Sequence, residues 1–147
     1  MAQEAPRPQT DVDNAALGAV LAEISRSLVA VFKRNYGKGP VRARSFLQKD
    51  VLTVILEGGY TTIEQKLEQH GHTNEVIATR LAMQKAVEDE MRTAIETILH
   101  RSVRSFMSAN DPANDLQAEV FVLDPVDVVV DDEHPVVALG GEPQSFA

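Results

Sequence analysis

The chain has 147 residues, is 44% hydrophobic, contains no cysteine and carries a formal net charge of −8. That length suits one core rather than two, and the missing thiol excludes disulfides, cysteine-based zinc sites and thiol catalysis. The acidity lies in the arms: residues 14–123 hold 13 basic and 13 acidic side chains, whereas residues 124–147 hold six acids and no lysine or arginine.

Residues 1–13, MAQEAPRPQTDVD, are polar and proline-containing, so a disordered arm is expected there. They also lack the basic start and apolar stretch of a signal peptide. No uninterrupted apolar run reaches the roughly 18 to 20 residues that cross a bilayer. The expectation is a soluble, cytoplasmic protein with no membrane span.

Asp13 or Asn14 can cap a helix in which Leu17, Val20, Leu21, Ile24, Leu28, Val31 and Phe32 recur at helical spacing up to about Lys33 or Asn35. Gly37 is placed to stop it. Beyond Pro40, alternation from Val41 to Phe46, a polar break QKD and the run VLTVILEG predict a hairpin. Thr61 with Glu64 fits a capping box opening a short helix that ends at His70-Gly71-His72.

A long helix is then expected from Thr73 or Asn74 to about His100, burying Ile77, Leu81, Gln84, Val87, Met91, Ala94, Ile95 and Ile98. Val103–Met107 predicts a strand, Ser108–Asp115 a loop and Leu116–Leu123 a further strand. The order α-β-β-α-α-β-β predicts an α+β two-layer sandwich, an antiparallel sheet of two hairpins packed against three helices. Its boundaries are an arm at 1–13, a domain at 14–124 and an acidic flexible tail at 125–147, with Val128–Val130 an alternative edge strand.

Chemistry is concentrated in one place. Residues 24–49 carry Arg26, Lys33, Arg34, Lys38, Arg42, Arg44 and Lys49 and no acid. Closely spaced glycines expose backbone N–H groups to anions, so Gly37 and Gly39 with Lys33, Lys38, Arg42 and Arg44 form the candidate anion- or partner-binding site. A P-loop, however, follows a strand and opens a helix. Here the glycines follow a helix and precede a strand, so the simpler reading is a helix stop and turn.

Apart from Phe32 of the apolar stripe, Tyr36 and Phe46 are the only aromatics near these charges, and no groove-reading module is present, which argues against nucleic acid as the partner. His70, His72, His100 and His134 lack metal-ligand spacing, so neither a metal nor a cofactor is expected. Glu88, Asp89 and Glu90 are consecutive and cannot share one helix face, and no GxSxG elbow occurs, so no catalytic residue is nominated.

Gly37-Lys38-Gly39-Pro40 with Ala43, Thr62-Glu64-Leu67, Arg80 and Phe121-Val122-Leu123 together resemble the MpsC domain family over residues 16–125. That family commonly opens its middle helix with a leucine-threonine pair, where this chain has Tyr60-Thr61-Thr62. The resemblance carries over no catalytic residue. It implies a bacterial accessory or regulatory domain, non-enzymatic, assisting a membrane ion or inorganic-carbon transport system and peripheral to the membrane through that partner. A homodimer through the long helix or an exposed strand edge is the expected assembly. The alternative is an anion, small-ligand or nucleic-acid binding module using residues 26–49.

Overall fold

A computed structural model describes residues 9–126, with side chains described from Asp13 onward. Helix α1 (Gln9–Tyr36) is followed by strands β1 (Arg42–Gln48) and β2 (Val51–Glu57). Helices α2 (Thr62–Gln69), α3 (Thr73–Ala86) and α4 (Glu88–Leu99) come next, then β3 (Val103–Asp111), a 3-10 turn at Pro112–Asn114, and β4 (Leu116–Leu123). The four strands form one antiparallel sheet in the order β1-β2-β4-β3, so the two hairpins join through β2 and β4.

The α+β expectation holds, with corrections. There are four helices, not three, because the expected long helix breaks at Val87, whose backbone (φ −101°, ψ 6°) leaves helical geometry. No proline or glycine marks the break. It lets α3 and α4 each lay a buried face on a sheet that twists beneath them. The buried face of α3 is Val76, Arg80 and Gln84, one position round from the expected Ile77 and Leu81, and Leu81 is exposed. Strand β3 also runs on through Ser108–Asp111, where loop composition masks inward-facing polar side chains.

Helix α1 starts at Gln9 rather than at Asp13 or Asn14 and ends, as expected, before Gly37 (φ +76°). Ile24, Leu28, Val31 and Phe32 pack with Leu52, Val54, Leu56, Met91, Ile95, Phe121 and Leu123 to make the core. Among the described residues, Asp13–Tyr36 is one helix long and apolar enough to cross a membrane by length and composition, its most apolar 18-residue window having a mean hydropathy of 1.7. Glu23 and Arg26 interrupt its apolar run, while alanine, valine and leucine dominate the rest of the helix. In this fold, withdrawing the helix would strip the sheet of its main apolar cover.

Helices α1, α3 and α4 pack on one face of the sheet, with α2 against α3, and the buried positions Leu52, Val54, Leu56, Gln117, Glu119, Phe121 and Leu123 alternate with half-exposed ones. The other face is open among the described residues. The acidic tail, including the Val128–Val130 expectation, falls outside the described residues from residue 127 onward.

Candidate functional site: a buried arginine hub beside the basic turn

The basic segment is divided by the fold. Gly37 closes α1, its N–H bonded to the Lys33 carbonyl at 3.1 Å. Lys38 turns back and donates to the Tyr60 carbonyl at 2.8 Å, tying the turn after α1 to the loop before α2. Gly39 lies close to Lys33 Cβ and the Val29 carbonyl, so a side chain there would press on α1. Arg42 and Arg44 project from β1 onto the open sheet face, with Arg42 3.6 Å from the Glu57 carboxylate. Lys33 is exposed on α1, which packs against the opposite face of β1. The structure therefore brings Gly37, Lys38 and Gly39 together as a turn and sends Arg42 and Arg44 elsewhere.

Directly behind that turn, Arg80 of α3 is 1% exposed. Glu64 grips its guanidinium at two points, Nε to Oε2 at 2.6 Å and Nη2 to Oε1 at 2.5 Å. Nη2 also donates to the Gly59 carbonyl at 2.8 Å, and Nη1 lies 3.4 Å from Gln117 Oε1. The rings of Tyr36 and Tyr60 each sit 4.8 Å from the guanidinium carbon, a geometry that favours a desolvated cation.

Glu64 owes its position to the capping box of α2: it accepts the Thr61 N–H and hydroxyl at 2.9 Å each, while Thr61 accepts the Glu64 N–H. Burial alone would raise its carboxyl, but the hydrogen bonds from Arg80 and Thr61 outweigh burial and hold it below the ordinary value. Burial pushes the Tyr36 phenol up to about 12 and raises that of Tyr60 further, so both rings stay neutral.

One turn along α3, Gln84 donates to Glu119 Oε1 at 2.5 Å and accepts from Asn110 at 2.8 Å. Ser108 donates to the other Glu119 oxygen, also at 2.5 Å. Glu119 is fully buried, and burial lifts its carboxyl from 4.5 to about 7 against the opposing hydrogen bonds of Ser108 and Gln84. The carboxyl is a proton holder in the neutral range. Arg80, by contrast, has both faces and its edges covered, so its chemistry is directed at the protein itself.

Sequence reasoning placed Gln84 on the buried face of its helix, missed Glu119 as its buried partner and met Arg80 only as a mark of family resemblance. A signal existed in LQAEVFVL: strand alternation forces either Gln117 and Glu119 or Leu116 and Ala118 inward. Phe121 and Leu123, in the same register as Gln117 and Glu119, decide it.

The family described as "Na+-translocating membrane potential-generating system (MpsC)" matches residues 17–125. The chain belongs to the MpsC family. Comparisons with curated proteins and with solved structures give no match. Three of the residues by which this MpsC chain resembles its family, Lys38, Glu64 and Arg80, converge in space around Gly59 and Tyr60. Among the described residues, no group of three or more acidic, histidine or cysteine side chains could hold a metal ion.

Proposed function

We propose that this chain is a non-enzymatic accessory or regulatory subunit of a bacterial membrane ion or inorganic-carbon transport system, acting from the cytoplasmic side as a homodimer. The observation that carries the reading is the family match over residues 17–125. The use of the buried ionisable groups supports it: Arg80 and Glu64 face one another, and Glu119 faces Ser108 and Gln84. Such an arrangement builds a rigid shape to be recognised.

A second reading, an anion, small-ligand or nucleic-acid module using the basic segment, narrows to Arg42 and Arg44 and is favoured by their exposure two residues apart on one strand face. Affinity capture of the tagged full chain from its native host, at low and high salt, separates the two. A membrane transport protein retained at both salts supports the first. Nucleic acid recovered only at low salt supports the second, since phosphate contacts are lost as salt rises. Recovery of neither sinks the transport-subunit reading.

A further inference from the structure

The open sheet face has an unusual polarity. On the covered side, β4 presents Gln117 and Glu119 beside Phe121 and Leu123, whereas on the open side it presents apolar residues throughout, Leu116, Ala118, Val120 and Val122. Phe46 at one edge of that face and Met107 at the other are each 52% exposed. Strands of this kind normally turn their apolar set toward a covering layer.

The register lays the open face out in cross-strand rows. One row runs Arg42, Glu57, Leu116, Asp111; the next runs Arg44, Ile55, Ala118, Ala109; the third runs Phe46, Thr53, Val120, Met107. Reversal of the rows sets Arg42 opposite Asp111, Ile55 opposite Ala118 and Phe46 opposite Met107, while Glu57 falls opposite Leu116 and Arg44 opposite Ala109. A two-fold axis parallel to the strands, lying in the interface between β2 and β4, stacks β1 of one copy over β3 of the other. It keeps each row at its own level and reverses its order. Arg42 then meets Asp111 of the second copy, and Phe46 meets Met107. Ile55 enters the hollow of about 250 Å³ beside Ala109 and Ala118.

We propose that a second copy of this chain covers the open sheet face, forming an aligned β-sandwich dimer in which Arg42 pairs with Asp111 across the two-fold axis. Face-to-face sheets pack in this aligned way in single-chain sandwiches, and an isologous contact requires such self-complementarity. Four strands at about 4.8 Å spacing and about 24 Å long present roughly 500 Å² per copy. The total of roughly 1,000 Å² lies at the low end for specific interfaces, so dissociation in the micromolar range is expected. The inference rests on the homodimer in the reading above and replaces the long helix or strand edge as its contact, without using the transport partner.

Sedimentation of the full chain across micromolar concentrations, with Arg42→Asp, Asp111→Arg and the double variant, tests it. Within one copy these residues lie on opposite edges, about 14 Å apart across three strand spacings, so their direct coupling is largely screened at physiological salt. Each single swap sets like charges opposite each other and is expected to weaken the dimer about tenfold or more. The double swap is expected to recover most of it, short of wild type because Arg42→Asp also sets a carboxylate beside Glu57 of its own copy. Phe46→Asp is expected to give a monomer with an unchanged circular dichroism spectrum.

A wild-type dimer indifferent to all four variants keeps the homodimer and overturns this face. A wild-type monomer at every concentration overturns both, whatever captures show about a transport partner. Resistance of Met107 to peroxide in that monomer would assign the face to residues 127–147 of the same chain.

Discussion

Arg80 and Glu64 are joined by two hydrogen bonds of 2.6 and 2.5 Å inside the protein, and they connect α3 to the capping box of α2. The pair performs two local tasks at once, satisfying the start of α2 and neutralising a guanidinium enclosed by Tyr36 and Tyr60.

Replacing Arg80 by methionine leaves the Glu64 carboxylate buried without its partner and should cost about 3–5 kcal/mol in urea unfolding. Replacing both Arg80 and Glu64 by apolar residues should cost less than the sum of the single changes, because no charge remains stranded. Additive losses would show that the pair is not coupled.

Glu64 also sets an acid limit. Its folded pKa is depressed, so the stability it contributes is present above its unfolded value and is lost as pH falls through the folded one. Wild-type stability followed downward from pH 5 should fall more steeply than that of Glu64→Gln, which starts lower and has no such proton to bind.

Glu119 predicts the opposite trend nearer neutrality. It ionises at about 4.5 when unfolded and about 7 when folded, so the unfolded chain releases its proton first and stability declines as pH rises between those values. The full loss is roughly 3 kcal/mol. Glu119→Gln should lack this decline over the window and be the more stable protein at pH 8, with Ser108 accepting from the new amide. A parallel pH profile for the two proteins would reject the raised carboxyl.

Lys38 and Arg44 should separate on substitution. Lys38→Met removes the bond to the Tyr60 carbonyl and should cost about 1 kcal/mol, whereas Arg44→Ala on the open face should stay within about 0.5 kcal/mol. Equal effects in thermal unfolding would mean that the turn is not held by Lys38.

Gly58 and Gly71 both take left-handed backbone, φ +74° and +84°, but a methyl group at Gly58 would run into Val41 while the space at Gly71 is open. Gly71→Ala should therefore cost about 1 kcal/mol from backbone strain alone. Gly58→Ala should cost clearly more by the same denaturation measurement, since Val41 must also move.

By itself the sequence determined the elements whose signals are local. The stripe from Ile24 to Phe32, the Gly37 stop, the hairpin across Lys49 and Asp50, and the Thr61–Glu64 capping box all depend on neighbours within a turn or a strand pair, and all are present. The break at Val87 left a partial trace, since Glu88, Asp89 and Glu90 occupy the first turn of α4, where acids suit a helix start. Without a glycine or proline, those acids read equally well as a solvated helix face.

Tertiary structure decided the rest, because burial is a property of the whole assembly. Arg80 and Glu119 have the composition of surface residues and became interior only when α3 settled over the sheet and supplied each with partners. The same packing separated Lys33 from Arg42 and Arg44, which are close in the chain but lie on opposite sides of β1. It also turned the apolar half of β4 outward, since Phe121 and Leu123 were needed in the core and strand alternation carried Gln117 and Glu119 in with them.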